Sequence, residues 1–130
     1  SEDQKGWDWF ALQLDDNTEI MYYQMRKKDG TSDVFSKGVF VDETGSSQLI
    51  KKVDVVLEVT DYWESPDGEK YPLGWNLQIP SKEIDLKIIP TVNNQLMDVA
   101  VRYWEGSVKI EGKKSNTAVR GRGYVELTGY

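Results

Sequence analysis

Two segments near the C-terminal end alternate in period two, and this pattern limits what the chain can fold into more than any other feature. In YWEGSVKI, Trp104 and Val108 fall on one face of an extended chain and Glu105 falls on the other. In GRGYVELTGY, Val125 and Leu127 fall on the face opposite the polar residues. A short polar loop containing KKSN joins the two segments, so we predict an antiparallel β-hairpin.

Shorter alternating rows recur upstream, separated by turn sequences such as Asp29-Gly30 and SPDG. The clearest rows are Val53, Val55, Leu57 and Val59; Trp75, Leu77 and Ile79; and Ile84, Leu86 and Ile88. Residues 96–101 fit either a strand or one helical turn, and no segment carries a sustained helical stripe. We therefore predict an all-β domain of about eight to ten strands, either an up-and-down barrel or a sandwich.

The first apolar segment, WDWFALQL, places bulky side chains on both faces of a strand. Trp7 and Trp9 alternate with Phe10 and Leu12. Strands with apolar residues on both sides are typical of sheets that are covered on both sides. We therefore expect this strand to be covered on both faces, and we expect it to pair with the last strand because a barrel closes in that way.

Composition excludes several classes of function. The net charge of -6 argues against nucleic acid as a partner, because such binding rests mainly on phosphate neutralisation by Lys and Arg. The apolar runs are too short for a transmembrane helix. The chain has no Cys and no His, so it offers no thiolate or His metal ligands and no Ser-His-Asp triad. We predict no metal and no cofactor, and acid–base chemistry would depend on carboxylates, Tyr or Lys.

Several segments, in this order along the chain, resemble the AttH / carotenoid 1,2-hydratase (CrtC-like) family of lipocalin-like proteins. The segments are WDWFALQL at 7–14, MY at 21–22, SP at 65–66, YPLGW at 71–75, YWEG at 103–106 and GRGYVELTGY at 121–130. The resemblance implies a lipocalin-like (calycin-type) antiparallel up-and-down β-barrel. It also implies that residues 1–130 form a single domain, the C-terminal half of a two-domain parent.

The resemblance further implies a function in hydration of an isolated carbon–carbon double bond in an apolar, terpenoid- or lipid-like substrate. The expected partners are a hydrophobic small molecule and the N-terminal lipocalin-like domain of the same parent, without which we expect no turnover. The family also suggests an extracytoplasmic location. Two other interpretations stay open, a non-catalytic module that binds a hydrophobic small molecule and a structural barrel filled by its own side chains.

The candidate catalytic residues are Glu105 and Glu126, which can point to one side of the closing hairpin, among Tyr103, Tyr124 and Tyr130. A carboxylic acid among aromatic rings can stay protonated and donate a proton to an alkene. The candidate ligand-binding residues are Asp8, Trp9, Trp75, Tyr103, Trp104 and Tyr124.

Each candidate also has a structural interpretation. Glu126 can be solvated or paired with Arg122 while its apolar neighbours face the core, and Trp75 and Trp104 can be ordinary core residues. A Trp of the first strand can also stack under Arg120 or Arg122 of the last strand and cap one end of the barrel, as in other calycins.

Overall fold

The structure, a computed structural model, describes residues 4–91, 96–97 and 103–130. Within these residues the chain forms twelve β-strands and two short 3-10 turns, Lys52–Asp54 and Pro80–Lys82. No helical segment in these ranges has the length and apolarity of a membrane span. The strands are β1 Gln4–Leu14, β2 Glu19–Lys27, β3 Lys37–Val41, β4 Ser47–Lys51, β5 Val56–Val59, β6 Tyr62–Glu64, β7 Lys70–Pro72, β8 Trp75–Ile79, β9 Ile84–Pro90, β10 Leu96–Met97, β11 Tyr103–Lys114 and β12 Thr117–Thr128.

The main sheet is antiparallel and runs in the order β4-β3-β2-β1-β12-β11-β9-β8-β5. The short β10 adds to β11, and β6 and β7 form a separate hairpin. The predicted neighbourhood of the first and last strands is confirmed, since β1 pairs with β12 from Asp8↔Leu127 to Leu14↔Gly121. The sheet curls into a half-barrel whose two edges are β4 and β5, so the predicted all-β, lipocalin-like fold is confirmed.

The predicted closing hairpin is confirmed as β11 and β12, which pair without interruption from Tyr103↔Thr128 to Lys114↔Thr117. Ser115 and Asn116 form its turn, with φ angles of 49° and 66°. Two successive positive φ angles define a type I′ turn, whose twist matches that of the flanking strands. Of the ambiguous segment 96–101, Leu96–Met97 is a strand and residues 98–101 lie outside the described ranges.

The row predicted from Val53 to Val59 is only partly correct. The chain leaves β4 at Lys51 and turns through Lys52–Asp54, which leaves Val53 88% exposed. Leu57 packs partly against the core, while Val59 stays 40% exposed. Because β5 is an edge strand, it lacks a neighbour on one side, and its alternation does not translate into full burial.

Bulky side chains from all parts of the sheet fill the concave side. Phe10 and Trp75 meet edge to face, with ring centroids 5.1 Å apart. Burying each such side chain contributes roughly 1.5–3 kcal/mol, so this packing is the main stabilising contribution to the fold. The largest fully buried side chains are Trp75, Trp104, Tyr71, Phe10, Leu12, Ile20, Ile50, Leu77, Ile79, Ile84, Leu86 and Ile88.

Candidate functional site

The convex side of β1 to β4 and β12 carries a row of apolar and aromatic side chains. Residues directly opposite on antiparallel strands share a face, so the register places Trp9 beside Tyr23 and Glu126. The next row joins Met21 to Val39. The side chains of Trp9 and Met21 are 46% and 42% exposed, so this face is open.

These rows enclose a groove of about 690 Å³ on the outer surface. We call it the outer aromatic groove, and Trp7, Trp9, Met21, Tyr23, Val39 and Leu49 supply its apolar lining, with Lys37 and Glu126 among its polar residues. Partial burial raises the pKa of the Tyr23 phenol above its ordinary value. The expectation that β1 is covered on both faces is therefore wrong for this domain, because only the face with Phe10 and Leu12 is buried.

Glu105 and Glu126 lie directly opposite each other on β11 and β12, and both side chains are half-buried. They share the convex face, and Glu126 lines the outer aromatic groove. Val125 and Leu127, the neighbours of Glu126, are fully buried. This confirms the interpretation in which these two residues face the core. The two carboxylates therefore lie outside the filled barrel, beside Trp9 rather than within the core.

The other candidate ligand-binding residues do not form one cluster with the groove. Trp75 and Trp104 are 2% and 0% exposed and belong to the core. Tyr124 is 47% exposed, and its register partner Ala11 places it on the convex face. Tyr103 begins β11, and its side chain lies outside the described part of the chain.

Asp8, the last of the candidate ligand-binding residues, lies in a buried polar network at one end of the barrel. Tyr130 Oη donates a hydrogen bond to Asp8 Oδ1 over 2.7 Å, and Gln24 Nε2 donates one to Oδ2 over 3.0 Å. Arg26 Nε lies 3.2 Å from Oδ2, and the Arg26 Nη2 group donates to the carbonyl oxygen of Thr128. The guanidinium also lies over the Tyr130 ring, 3.7 Å from its centroid. We call these five residues the Asp8 network.

Burial dominates the electrostatics of this network. Desolvation raises the pKa of the Asp8 carboxyl above its ordinary value, although the Arg26 charge and three hydrogen bonds oppose the rise. Burial and the adjacent Asp8 carboxylate likewise raise the pKa of the Tyr130 phenol. Every oxygen of Asp8 has a donor, which is the condition for keeping a carboxylate inside a protein.

The predicted Trp–Arg cap is wrong in its residues. The register places Arg122 opposite Gln13, while the backbone N–H of Trp7 donates to Thr128 Oγ1 at the other end of β12. A separation of six residues along a strand is about 20 Å, so Arg122 is too far from Trp7 to stack on it. Arg26 of β2 fills the comparable role by stacking on Tyr130.

Sequence reasoning missed Arg26, Gln24 and Tyr130 as members of one network. A signal was present, because Gln24 and Arg26 share their period-two face with Ile20 and Tyr22, which are buried. Polar residues on the inward face at the end of a strand indicate a buried polar network. The partner at the opposite end of the chain could not be found without the strand order.

The fold has close relatives among solved structures. An AttH-like protein from Nitrosomonas europaea is 29% identical, superposes with a TM-score of 0.86, and is matched over 100% of this chain and 40% of its own. Kievitone hydratase from Nectria haematococca shares the fold at 20% identity and a TM-score of 0.79, over 97% of this chain and 40% of its own. This chain thus spans about 40% of the length of each solved relative.

No curated protein matches the sequence. The family model described as AttH-like matches residues 1–130, which is the entire sequence. The outer aromatic groove therefore lies on a lipocalin-like fold. Because the family model covers every residue of the sequence, the chain belongs to the AttH-like family.

Proposed function

We propose that this domain supplies one wall of a site for an apolar, terpenoid- or lipid-like molecule, and that a second domain of the same parent protein covers that wall. The observation that carries the proposal is the outer aromatic groove. Its volume of about 690 Å³ lies within the range of small-molecule sites, and its lining combines Trp, Met, Val and Leu side chains with few polar groups.

The exposure of apolar side chains in the outer aromatic groove supports the proposal that another domain covers it. Trp9, Met21 and Leu49 are 46%, 42% and 61% exposed and line the same groove. Val39 lies between Met21 and Leu49 in the sheet register. Contiguous apolar patches of this kind mark interaction sites on otherwise polar proteins. The solved relatives are each matched over only 40% of their chains, so a second domain, as the sequence resemblance implies, is the occupant that we propose.

Hydratase-like acid catalysis is the activity that we propose for the assembled site. Glu126 lines the groove beside Trp9, so its carboxyl group is placed to transfer a proton to an alkene carbon once the site is assembled. The Trp9 π-face would stabilise the carbocation, and water would then add to it and return one proton to the Glu126 carboxylate, which restores the acid. The name of kievitone hydratase supports this reaction class only by likeness of fold. A second candidate function rests on the packed core. Because bulky side chains fill the concave side of the sheet, the domain can also be non-catalytic, and it would then bind a hydrophobic molecule on its outer face or only support its neighbour.

The experiment labels the five tryptophans with 5-fluorotryptophan and follows them by ¹⁹F NMR. Titration of the isolated domain with an acyclic terpenoid alkene should shift the Trp7 and Trp9 resonances and leave those of Trp75 and Trp104 in place. Adding the separately expressed N-terminal domain should cause a further change at Trp7 and Trp9. If neither the alkene nor that domain changes these two resonances, the proposal is wrong.

Catalysis is tested in the full-length parent protein. We expect alkene hydration by the parent, none by the isolated domain, and a large loss of kcat in Glu126→Gln. Glu58→Gln is the matched control, because Glu58 is exposed on the edge strand β5 away from the groove. If Glu126→Gln retains hydration activity, the proposed catalytic role of Glu126 is wrong, whereas the proposed binding role of the groove is unaffected.

A further inference from the structure

A second concavity, distinct from the outer aromatic groove, opens at the end of the barrel where the Asp8 network lies. It encloses about 380 Å³ and shares no lining residue with the outer groove. Lys5, Arg26, Lys27 and Lys28 line it, and Asp8 is the carboxylate among its lining residues. We call it the basic end pocket.

The charge of this pocket is opposite to that of the whole chain. The chain carries a net charge of -6, with 22 acidic against 16 basic residues. The nearby Asp29 carboxylate accepts hydrogen bonds from the Thr31 backbone N–H and hydroxyl group, over 2.9 and 2.6 Å. Asp8 is already bonded within its own network. The pocket therefore has more cationic than anionic side chains, and both nearby carboxylates already accept hydrogen bonds from other residues. Such a pocket favours an anionic ligand.

Arg26 supplies the specific donor. A guanidinium has five N–H donors, and Arg26 uses Nε for Asp8 and Nη2 for the Thr128 carbonyl. Among the described residues, no group accepts a hydrogen bond from Arg26 Nη1. The side chain is only 12% exposed, so water has limited access to the remaining donors. The two N–H groups of Nη1 on this nearly buried guanidinium are thus available to a carboxylate or phosphate oxygen.

Part of the pocket lining is apolar. Leu57 and Val59 of β5 line it together with the ring of Tyr62. Leu57 is half-buried and Tyr62 is 61% exposed, so this wall continues to the surface. A ligand with an anionic head near Arg26 could therefore place a hydrocarbon body along Leu57 and Val59.

We propose that the basic end pocket binds an amphiphilic organic anion, with its carboxylate or phosphate head held by Arg26, Lys27 and Lys28 and its hydrocarbon body held by the β5 wall. This site is independent of the outer aromatic groove. The ligand is recognised by charge and by an apolar tail together, so neither an uncharged alcohol nor a small inorganic anion should replace it.

The experiment titrates the ¹⁵N-labelled domain with dodecanoate, dodecyl phosphate, dodecanol and inorganic phosphate, each amphiphile below its micelle-forming concentration. We expect dodecanoate or dodecyl phosphate to shift the backbone resonances of Lys28, Gly30, Leu57 and Val59, and the stronger of the two identifies the head group. Equal binding of dodecanol, or shifts confined to Trp9 and Leu49, would overturn the proposal. So would the absence of shifts with every ligand.

Variants make the assignment quantitative. Lys27→Gln with Lys28→Gln should weaken binding by about tenfold, since two charge contacts are lost. Lys87→Gln with Lys113→Gln changes the net charge equally on exposed positions of β9 and β11 and should have little effect. Equal weakening in both pairs would show only nonspecific attraction and refute the site. Trp9→Ala should leave this affinity unchanged, which separates the outcome from that of the outer groove.

Discussion

The hydroxyl group of Tyr130 donates a 2.7 Å hydrogen bond to the carboxylate of Asp8, so a residue just beyond the last strand is bonded inside the first. The ring of Tyr130 also contacts Tyr71, with centroids 5.6 Å apart, and supports the Arg26 guanidinium. One side chain thereby connects β1, β2 and β7. The stability of the barrel should depend on it more than its terminal position suggests.

Tyr130→Phe should lower the free energy of unfolding by about 1–3 kcal/mol, because the variant removes a hydrogen bond to a buried carboxylate. The ring and its contacts with Arg26 and Tyr71 remain. Urea denaturation at neutral pH measures the change. Tyr62→Phe is the control, since the Tyr62 side chain is 61% exposed and its removal of one hydroxyl should be nearly neutral. Equal effects of the two variants would contradict the importance of the Asp8 contact.

Asp8→Asn should change the pH dependence of stability. Burial raises the folded-state pKa of Asp8 above its ordinary value of 3.8, so the native state binds the proton more tightly than the unfolded state does. The Asp8 contribution therefore becomes less favourable as pH rises from 3.8 through the raised pKa. The difference in unfolding free energy, wild type minus Asp8→Asn, should fall across this window. Urea denaturation at several pH values tests this, and a difference that rises with pH would show that Arg26 outweighs burial.

Two tryptophans on opposite faces should respond very differently to truncation. Trp75→Ala removes a core ring and should cost about 3–5 kcal/mol. Trp9→Ala, on the exposed convex face, should cost the isolated domain about 1 kcal/mol or less. Chemical denaturation of the isolated domain compares the two. A similar cost for both would mean that the outer aromatic groove is already covered in the isolated domain.

The Glu105 and Glu126 pair should be mutually unfavourable. Like charges directly opposite on antiparallel strands destabilise a sheet by about 0.2–1 kcal/mol. A double-mutant cycle with Glu105→Gln and Glu126→Gln should reveal a repulsive coupling of this size. Salt should reduce it, because both side chains are partly solvated. A coupling of zero at low salt would show that the two carboxylates do not interact.

The strands were predictable where one face is apolar and the other polar. In β8 and β9 the inward rows of Trp75, Leu77 and Ile84 alternate with polar residues, and the structure buries them. In β1 the sequence carries rings on both faces, so it cannot tell which side is concave. The register with β2 and β12 decides the matter by placing Phe10 inside and Trp9 outside.

The Asp8 network was not predictable, for a physical reason. Its members are held by contacts between Asp8 and Gln24 16 positions apart and between Asp8 and Tyr130 122 positions apart. Local periodicity assigns a side chain to a face but gives no information on which distant residue meets it. The pairing of Glu105 with Glu126 was predictable because a tight hairpin fixes its own register. The expectation that Tyr130 lies beside them is wrong, because Tyr130 turns to Asp8 and Arg26.

The pairing of β1 with β12 has a consequence for biosynthesis. During translation β1 can pair only with β2 until the last strand leaves the ribosome, since its other neighbour lies more than 100 residues later. Closing so long a loop is slow, and folding rates fall as contacts become less local. The nascent sheet therefore keeps one open edge that carries Trp7 and Trp9, a target for chaperones and a starting point for aggregation.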